Sequence, residues 1–143
     1  MEKGFNILII PLHSDNFCYY IYSNSNPLEG ALIDVGDASV VEFCKLHGFT
    51  PKAILSTHKH WDHTNGNSAM KKHFKDLLIY GGELDNVPEC TNTVKDGDRI
   101  EIGDMVFNCY HVPCHTKGHI LYHIDTGSEL DYTKTKEEFG VLV

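Results

Sequence analysis

The stretch Thr57-His58-Lys59-His60-Trp61-Asp62-His63 places three imidazoles and a carboxylate directly after the apolar residues Ala53-Ile54-Leu55. Imidazole nitrogens and carboxylate oxygens are ligands that zinc, iron and manganese accept. Active-site groups of α/β sheets usually gather where the strands end. The sequence therefore predicts a metal-dependent enzyme whose ions lie at the end of a strand.

The spacing within this stretch is compatible with two neighbouring ions. Residues two apart in extended backbone point the same way, so His58 and His60 can bind one ion while Asp62 and His63 face another. A chain with ten histidines would carry such a cluster by chance only about a few times in a thousand. The alternative interpretation is a His-rich solvated loop, and the low chance frequency favours the metal site over it.

Composition and charge exclude several other classes. A length of 143 residues, with 41% hydrophobic and 22% charged residues, fits one globular domain. A net charge of -8 argues against nucleic acid or an anionic membrane as partner, since phosphate binding needs clustered Lys and Arg. No apolar run reaches the length of a membrane span, and the start carries no cleavage-type site, so we expect a cytoplasmic protein. Five cysteines without a Cys-x-x-Cys pair predict reduced and mostly buried thiols.

The pattern of elements predicts strands, then strands alternating with helices, then strands again. Three strands of one sheet are expected at Phe5 to Pro11, Phe17 to Ser23 and Ala31 to Asp34, with a loop over 24–30. Further strands are expected at Ala53 to Ser56 and at Leu77 to Tyr80, the last ending at the break Gly81-Gly82. Helices are predicted over Ala38 to His47, between an Asp37 N-cap and Gly48, and over Asn67 to Phe74.

The later part of the chain predicts a β-hairpin. Asp98 to Ile102 and Met105 to Val112 alternate apolar and polar residues around Gly103-Asp104, which is the chemistry of a two-residue turn. Ile120 to Ile124 adds a strand. A polar loop is then expected from Asp125 to Glu138, followed by the apolar run Val141-Leu142-Val143.

A second histidine cluster, Val112-Pro113-Cys114-His115-Thr116-Lys117-Gly118-His119, lies between the predicted hairpin and the next strand. His115 can complete a three-imidazole set with the first stretch. Together, Thr-His-x-His-x-Asp-His and Pro-Cys-His-Thr-x-Gly-His resemble the metallo-β-lactamase superfamily. Within it the chain resembles the hydroxyacylglutathione hydrolase (glyoxalase II) family through Asp15-Asn16, His60-Trp61-Asp62-His63, Gly66-Asn67 and Tyr80-Gly81-Gly82.

The resemblance implies roles for individual residues. It assigns His58, His60 and His115 to one metal ion, and Asp62 with His63 to a second. Two divalent ions, zinc before iron or manganese, would hold a hydroxide that attacks a thioester carbonyl, with Asp62 as the catalytic group that orients it. The implied activity is hydrolysis of S-D-lactoylglutathione-like substrates to D-lactate and glutathione, a step of methylglyoxal detoxification.

The resemblance also implies the fold. It is α/β (α+β), a metallo-β-lactamase-like αβ/βα sandwich, of which residues 1–143 would form one domain with the N-terminal half and the start of the second. The family pattern expects a Gly-Asp pair with a bridging carboxylate, a later histidine and a helical glutathione-binding region, and none of these occurs before Val143. Asp125 and Asp131 are poor substitutes by position. We therefore expect a C-terminally truncated chain with an apolar sheet face uncovered, and the sequence predicts no substrate contacts.

Two further functions stay open. One is a catalytically inactive half-domain that binds metal or associates with a partner through the uncovered sheet face. The other is an iron-dependent persulfide dioxygenase, which carries a similar histidine cluster but uses one metal; Trp61 and Tyr80-Gly81-Gly82 favour the hydrolase. As a hydrolase the chain would take a small-molecule glutathione thioester.

The other reactive side chains are predicted to have structural roles. His119 belongs to the family motif and is expected to hold a ligand or the loop rather than a metal. Cys114 is expected to be a small buried residue, and Trp61 to pack against the metal loop. Ordinary surface or core positions are predicted for His13, His47, His73, His111 and His123.

Overall fold

The computed structural model of the protein describes residues 4–125. Within that range the strands form two sheets. The first sheet contains, in spatial order, β1 (Phe5–Leu12), β2 (Asn16–Ser23), β3 (Asn26–Ile33), β4 (Ala53–Leu55), β5 (Leu78–Gly82) and β6 (Asn92–Val94). The second contains β7 (Arg99–Ile102), β8 (Met105–His111) and β9 (Ile120–Asp125). The helices are α1 (Ser39–His47), α2 (Trp61–Thr64) and α3 (Asn67–His73).

The direction of the strands determines where loop residues meet. β1, β2 and β3 pair antiparallel, whereas β3 through β6 pair parallel. Parallel neighbours need crossover connections, which α1 provides between β3 and β4 and α3 between β4 and β5. Because parallel strands have their carboxyl ends at the same edge, the residues that follow β3 and β4 come to lie side by side.

Two hydrophobic clusters lie on opposite faces of the first sheet. Short β4 contributes to both, since side chains alternate across a strand: Ile54 packs with α1 and α3 residues such as Val40 and Met70, and Leu55 packs with the second sheet. Phe107 of β8 and Ile120 of β9 complete the cluster between the sheets and are fully or almost fully buried. The second sheet is therefore fixed directly over β4.

Several predicted elements are confirmed. Helix α1 ends at Gly48, whose left-handed φ of 69° a residue with a side chain would adopt only with strain. The predicted N-cap is wrong by one residue, because the helix begins at Ser39 with Ala38 at the N-cap; the Asp37 carboxylate accepts a hydrogen bond of 3.1 Å from the Ser39 N–H. The hairpin of β7 and β8 turns at Gly103, where φ is 60°.

The loop predicted over 24–30 is wrong for most of its length, because β3 begins at Asn26. Only Asn24 and Ser25 form the turn. Pro27 lies near the start of the strand, next to an irregularity in the pairing of β2 with β3, which is a position where proline is tolerated. The Tyr20 hydroxyl donates to the Pro27 carbonyl at 3.0 Å.

The break predicted at Gly81-Gly82 is also wrong. β5 continues through both glycines, which pair with Thr93 and Val94 of β6, an element that the sequence did not predict. A Cβ at position 82 would lie 2.1 Å from the Gly118 carbonyl oxygen. Glycine is required there by a close approach of two backbones, and it does not end the strand.

Some predictions concern residues outside 4–125, namely the polar loop after Asp125, the apolar run Val141 to Val143, and Asp131. Within 4–125, one face of the β1–β2 hairpin packs against the second sheet through Ile7 and Ile21. On the same face, Ile9 is 62% exposed and Phe17 is 46% exposed. No helix in this part of the chain is long and apolar enough to cross a membrane.

Candidate metal centre

Two loops carry the predicted ligands. The first ligand loop, residues 57–63, follows β4, and the second ligand loop, residues 112–119, joins β8 to β9. The Ile120 N–H donates to the Thr57 carbonyl at 2.8 Å, which links the start of β9 to the first loop. The two sheets therefore hold the loops against each other, although they are far apart in sequence.

The structure brings His58, His60 and His115 together. Their candidate ligand atoms all lie within 4.8 Å of one another, and His60 Nδ1 is 3.1 Å from His115 Nε2. In a tetrahedral site with Zn–N bonds of about 2.0–2.1 Å, two ligand nitrogens are separated by about 3.4 Å. The arrangement therefore fits a single ion.

The hydrogen bonds of His58 determine which of its nitrogens is available. The Thr57 hydroxyl has one proton and donates it to Asp34 Oδ2 at 2.6 Å, because a carboxylate can only accept. His58 Nδ1, 2.8 Å from the same hydroxyl, must therefore carry a proton and donate it to Thr57. Nε2 then has a free lone pair, and it is buried without a hydrogen-bond partner among residues 4–125. Burial lowers the pKa of His58 from 6.5 to about 4, which favours this neutral form.

His63 lies between two carboxylates. Its Nδ1 is 3.0 Å from Asp34 Oδ2, and its Nε2 is 3.5 Å from Asp62 Oδ2. The hydrogen bond to Asp34 raises the pKa of His63 above its ordinary value. In the neutral form with the proton on Nδ1, Nε2 and the Asp62 oxygen would both present lone pairs to each other, an arrangement that a cation between them relieves.

These features fit a divalent metal ion. The lone pair of the His58 Nε2 atom, which no donor in the described part of the chain satisfies, is what a metal ligand requires. Asp34, His58 and His63 form a second group of potential ligands whose atoms lie within 4.8 Å of one another. Together the five predicted ligands and Asp34 offer nitrogen and carboxylate oxygen atoms, which suit zinc, iron or manganese.

His119 packs against this group. Its ring stacks on His58 with a centroid distance of 4.9 Å, and burial lowers its pKa. The Nδ1 atom is buried and has no hydrogen-bond partner among residues 4–125. Its role as a residue that supports the ligands stays a prediction. Within the same range, His13, His47, His73, His111 and His123 belong to neither group of potential ligands.

Two predictions near the site are wrong. Trp61 is 68% exposed and makes an edge contact with His13, at a centroid distance of 5.7 Å, instead of packing under the loop. It opens the short helix α2, and the buried member of that helix is Thr64. Cys114 is exposed, as are its neighbours Pro113 and His115 in the second ligand loop. The thiols of Cys18, Cys44 and Cys109 are buried, and all five cysteines are unpaired, as predicted.

Sequence reasoning missed two buried carboxylates. Asp34 accepts from the Thr57 N–H at 2.7 Å in addition to its contacts with the Thr57 hydroxyl and His63. Its signal was present: it is the first polar residue after the apolar strand β3, at the same sheet edge as the first ligand loop. Asp85 accepts from the Lys59 N–H at 2.7 Å. Nothing in the surrounding sequence distinguishes Asp85 from a turn residue.

An open depression lies next to the three imidazoles. It is lined by His60 and His115 and by Lys59, Leu84, Cys114 and Lys117. The two lysines place positive charge at the rim of the site in a chain of net charge -8. A small anionic molecule could therefore approach the ligands from this side.

The family of the chain is defined by a match over most of its length. Residues 14–129 match the Metallo-beta-lactamase superfamily, so the chain belongs to that superfamily. Within the superfamily its likeness is to the glyoxalase II family: it is 39% identical to "Hydroxyacylglutathione hydrolase cytoplasmic" of Arabidopsis thaliana over 121 residues, which cover 83% of this chain and 46% of that protein. It is also 39% identical to "Hydroxyacylglutathione hydrolase" of Aliivibrio fischeri (strain ATCC 700601 / ES114), over 79% of this chain and 44% of that one. The chain thus spans under half the length of these relatives.

Solved structures confirm the fold. The crystal structure of BLEG-1 B3 metallo-beta-lactamase superimposes with a TM-score of 0.70 at 24% identity, over 84% of this chain and 66% of that one. The crystal structure of ETHE1 from Myxococcus xanthus gives a TM-score of 0.69 at 23% identity, over 85% and 53%. The metallo-β-lactamase fold and the glyoxalase II resemblance predicted from the two histidine clusters are therefore confirmed.

Proposed function

We propose that this chain is the N-terminal part of a binuclear-metal thioester hydrolase of the glyoxalase II type. It would hydrolyse S-D-lactoylglutathione-like substrates to D-lactate and glutathione. The observation that carries the proposal is the convergence of His58, His60 and His115 from two loops that different sheets hold. The 39% identity to hydroxyacylglutathione hydrolases supports the choice of reaction.

The two proposed ligand sets come from the histidine motifs, and the distances support the first of them; the second close group of potential ligands in residues 4–125 is Asp34, His58 and His63. His58, His60 and His115 would hold one ion, and Asp62 with His63 would hold a second. Zinc is the proposed metal, because it accepts nitrogen and carboxylate ligands in a tetrahedral arrangement. When bound, such ions activate water near neutral pH and polarise the thioester carbonyl.

The side chains around the ions have separate tasks. Asp62, with 43% of its side chain exposed and its Oδ2 atom 3.5 Å from His63 Nε2, would orient the attacking water. Asp34 and Thr57 keep the proton of His58 on Nδ1, so that Nε2 faces the site. Lys59 and Lys117 would attract the carboxylates of a glutathione thioester. We also propose that the enzyme acts in the cytoplasm, because the name of the Arabidopsis relative describes that protein as cytoplasmic.

Removal of one ligand tests the proposal. We expect His58→Ala to lower zinc-dependent hydrolysis of S-D-lactoylglutathione by more than about 100-fold, because the first ion loses a buried ligand. The control is His73→Ala, since His73 lies at the exposed end of α3. Release of glutathione is measured on residues 1–143 and on the same chain extended through its downstream reading frame. If the His58 variant retains full turnover in the active form, the proposal fails.

The same assay tests the alternative that the chain is a catalytically inactive half-domain that binds metal or a partner. The exposed Ile9 and Phe17 on the face shared with Ile21 favour a further segment or partner over this surface. We expect metal binding in residues 1–143 and turnover in the extended chain. Metal binding without turnover in both forms would favour the non-catalytic half-domain.

A further inference from the structure

Asp85 is a buried carboxylate that contacts both ligand loops. It lies in the turn that follows β5 and is only 1% exposed. One carboxylate oxygen accepts the Lys59 N–H at 2.7 Å, and the other accepts the Gly118 N–H at 3.2 Å. The side chain therefore bridges two segments of backbone that belong to different sheets.

The two bonded amides lie next to candidate ligands. Lys59 separates His58 from His60 in the first ligand loop, and Gly118 lies between His115 and His119 in the second. A shift of either amide moves the imidazoles that flank it. The distance between the loops is thus linked to one carboxylate, whose two oxygens accept the two N–H groups at once.

Packing around Asp85 holds it in place. A Cβ at Gly118 would lie 2.5 Å from the Asp85 Cβ and 2.6 Å from its backbone nitrogen, so the second ligand loop lies directly on this turn. The Asp85 N–H in turn donates to the Gly82 carbonyl at 3.0 Å. Within residues 4–125, the recorded hydrogen bonds of the Asp85 side chain are those to Lys59 and Gly118, and no Lys or Arg side chain forms a recorded salt bridge with it.

We propose that Asp85 is a positioning residue that sets the distance between the two ligand loops and thereby the metal affinity of the site. A buried carboxylate paired only with backbone amides is costly to desolvate, and its negative charge is compensated when a cation binds nearby. The proposal deepens the proposed function, because it rests on the metal site described above. Asp85 itself is assigned no ligand role.

The test measures metal binding by the chain with Asp85→Asn. The amide side chain has one acceptor oxygen, and its NH2 group faces a backbone N–H, so one of the two bonds is lost. We expect the affinity for Co²⁺, and for Zn²⁺ measured in competition with a chromophoric chelator, to fall about 10- to 100-fold. We also expect the visible spectrum of bound Co²⁺ to change, since the imidazoles move relative to the ion.

Asp98→Asn is the matched control. The Asp98 carboxylate also accepts a backbone N–H, from Lys95 at 2.9 Å, but it lies before β7, away from the ligand loops. It removes a carboxylate charge in the same way, and the amide oxygen of Asn can still accept the Lys95 N–H, so it should leave both the Co²⁺ spectrum and the affinity unchanged. If Asp85→Asn binds Co²⁺ with unchanged affinity and spectrum, the proposal is overturned.

A second measurement needs no variant. Hydrogen exchange of the unsubstituted chain should show the Lys59 and Gly118 amides protected, as expected for bonds to a buried acceptor. Exchange of both at the rate of an unprotected peptide would overturn the proposal even if Asp85→Asn does not fold. Failure of the unsubstituted chain to bind Co²⁺ or Zn²⁺ would contradict the proposed function instead. The two failures are thus distinguishable.

Discussion

At the scale of single residues, one carboxylate determines the proton positions of two candidate ligands. Asp34 accepts from the Thr57 hydroxyl and lies within hydrogen-bond distance of His63 Nδ1, while Thr57 accepts from His58. The backbone of Asp34 has a φ of 56°, which is uncommon outside glycine and occurs often at functional sites. Orientation of both imidazoles therefore depends on Asp34 and Thr57, neither of which is among the five ligands that the sequence predicts.

We expect Thr57→Val to lower both the stability of the protein and its metal affinity. Valine has nearly the same shape as threonine but no hydroxyl, so Asp34 and His58 lose their shared partner inside a buried site. The free energy of unfolding should fall by about 1–3 kcal/mol, and metal affinity by about 10- to 100-fold. Urea unfolding and Zn²⁺ competition measure the two quantities.

Thr93→Val is the control for this change, since Thr93 is exposed on β6. It should alter neither quantity appreciably. Equal metal affinity in the Thr57 variant and the unsubstituted chain would contradict the assigned proton positions.

The ligand residues and their supports differ in how far the sequence predicts them. The predicted ligands occur within two short motifs, so their spacing alone indicates the chemistry. Asp34 and Asp85 act on those motifs from other strands, and their contacts exist only after β3, β4 and β5 have paired in register. Of the two, only Asp34 carries a local signal, as the first polar residue after β3, and neither set of contacts can be read from the sequence around it.

At the scale of elements, the end of β5 differs from its prediction, because the strand continues through Gly81 and Gly82. Two consecutive glycines usually interrupt a strand, because they weaken it and leave no side chain to pack. Here the structure uses them for contact: Gly82 meets the Gly118 carbonyl, and a Cβ at Gly81 would lie 2.6 Å from the Val87 side chain. The reason for these glycines lies in segments distant in sequence, which no local pattern reveals.

Gly82→Ala should therefore disturb the site from a distance. The added methyl group would lie 2.1 Å from a backbone oxygen, which cannot move without moving the second ligand loop. We expect the free energy of unfolding to fall by about 1–3 kcal/mol, and Zn²⁺ affinity to fall with it. Urea unfolding of the metal-free chain and chelator competition provide the two values.

Gly103→Ala serves for comparison, because it has open space around it and only the strain of its φ of 60°. It should cost about 1 kcal/mol of stability and leave Zn²⁺ affinity unchanged. A Gly82 variant that behaves like the Gly103 variant would refute the close-contact explanation.

At the scale of the whole molecule, the two hydrophobic clusters contain buried thiols. Cys18 and Cys44 belong to the cluster under the helices and Cys109 to the cluster between the sheets, and all three are fully buried. Burial raises the pKa of Cys44 from 9.0 to about 11 and that of Cys109 to about 12. The folded state therefore keeps these groups protonated where the unfolded chain releases the protons.

We expect stability to decrease in alkaline solution. The raised pKa values contribute stability that is fully present below pH 9.0 and is lost as pH rises towards 11 and 12. Each thiol should account for about 2–3 kcal/mol of that loss at pH 11. Urea unfolding at a series of pH values from 8 to 11 measures the slope.

Cys44→Ala isolates one contribution to this slope. The variant loses some packing at every pH, so its curve should lie lower but decline less steeply between about pH 9 and 11. A slope identical to that of the unsubstituted chain would exclude Cys44 as a source of the alkaline sensitivity.

The distance in sequence between the two ligand loops has a consequence for biosynthesis. A nascent chain that has emerged only as far as β6 presents two of the three imidazoles and no partner strand to hold the third. His115 arrives after both strands of the β7–β8 hairpin, and its loop is anchored only when β9 pairs with β8. An ion held by all three imidazoles would therefore require that translation has passed Asp125.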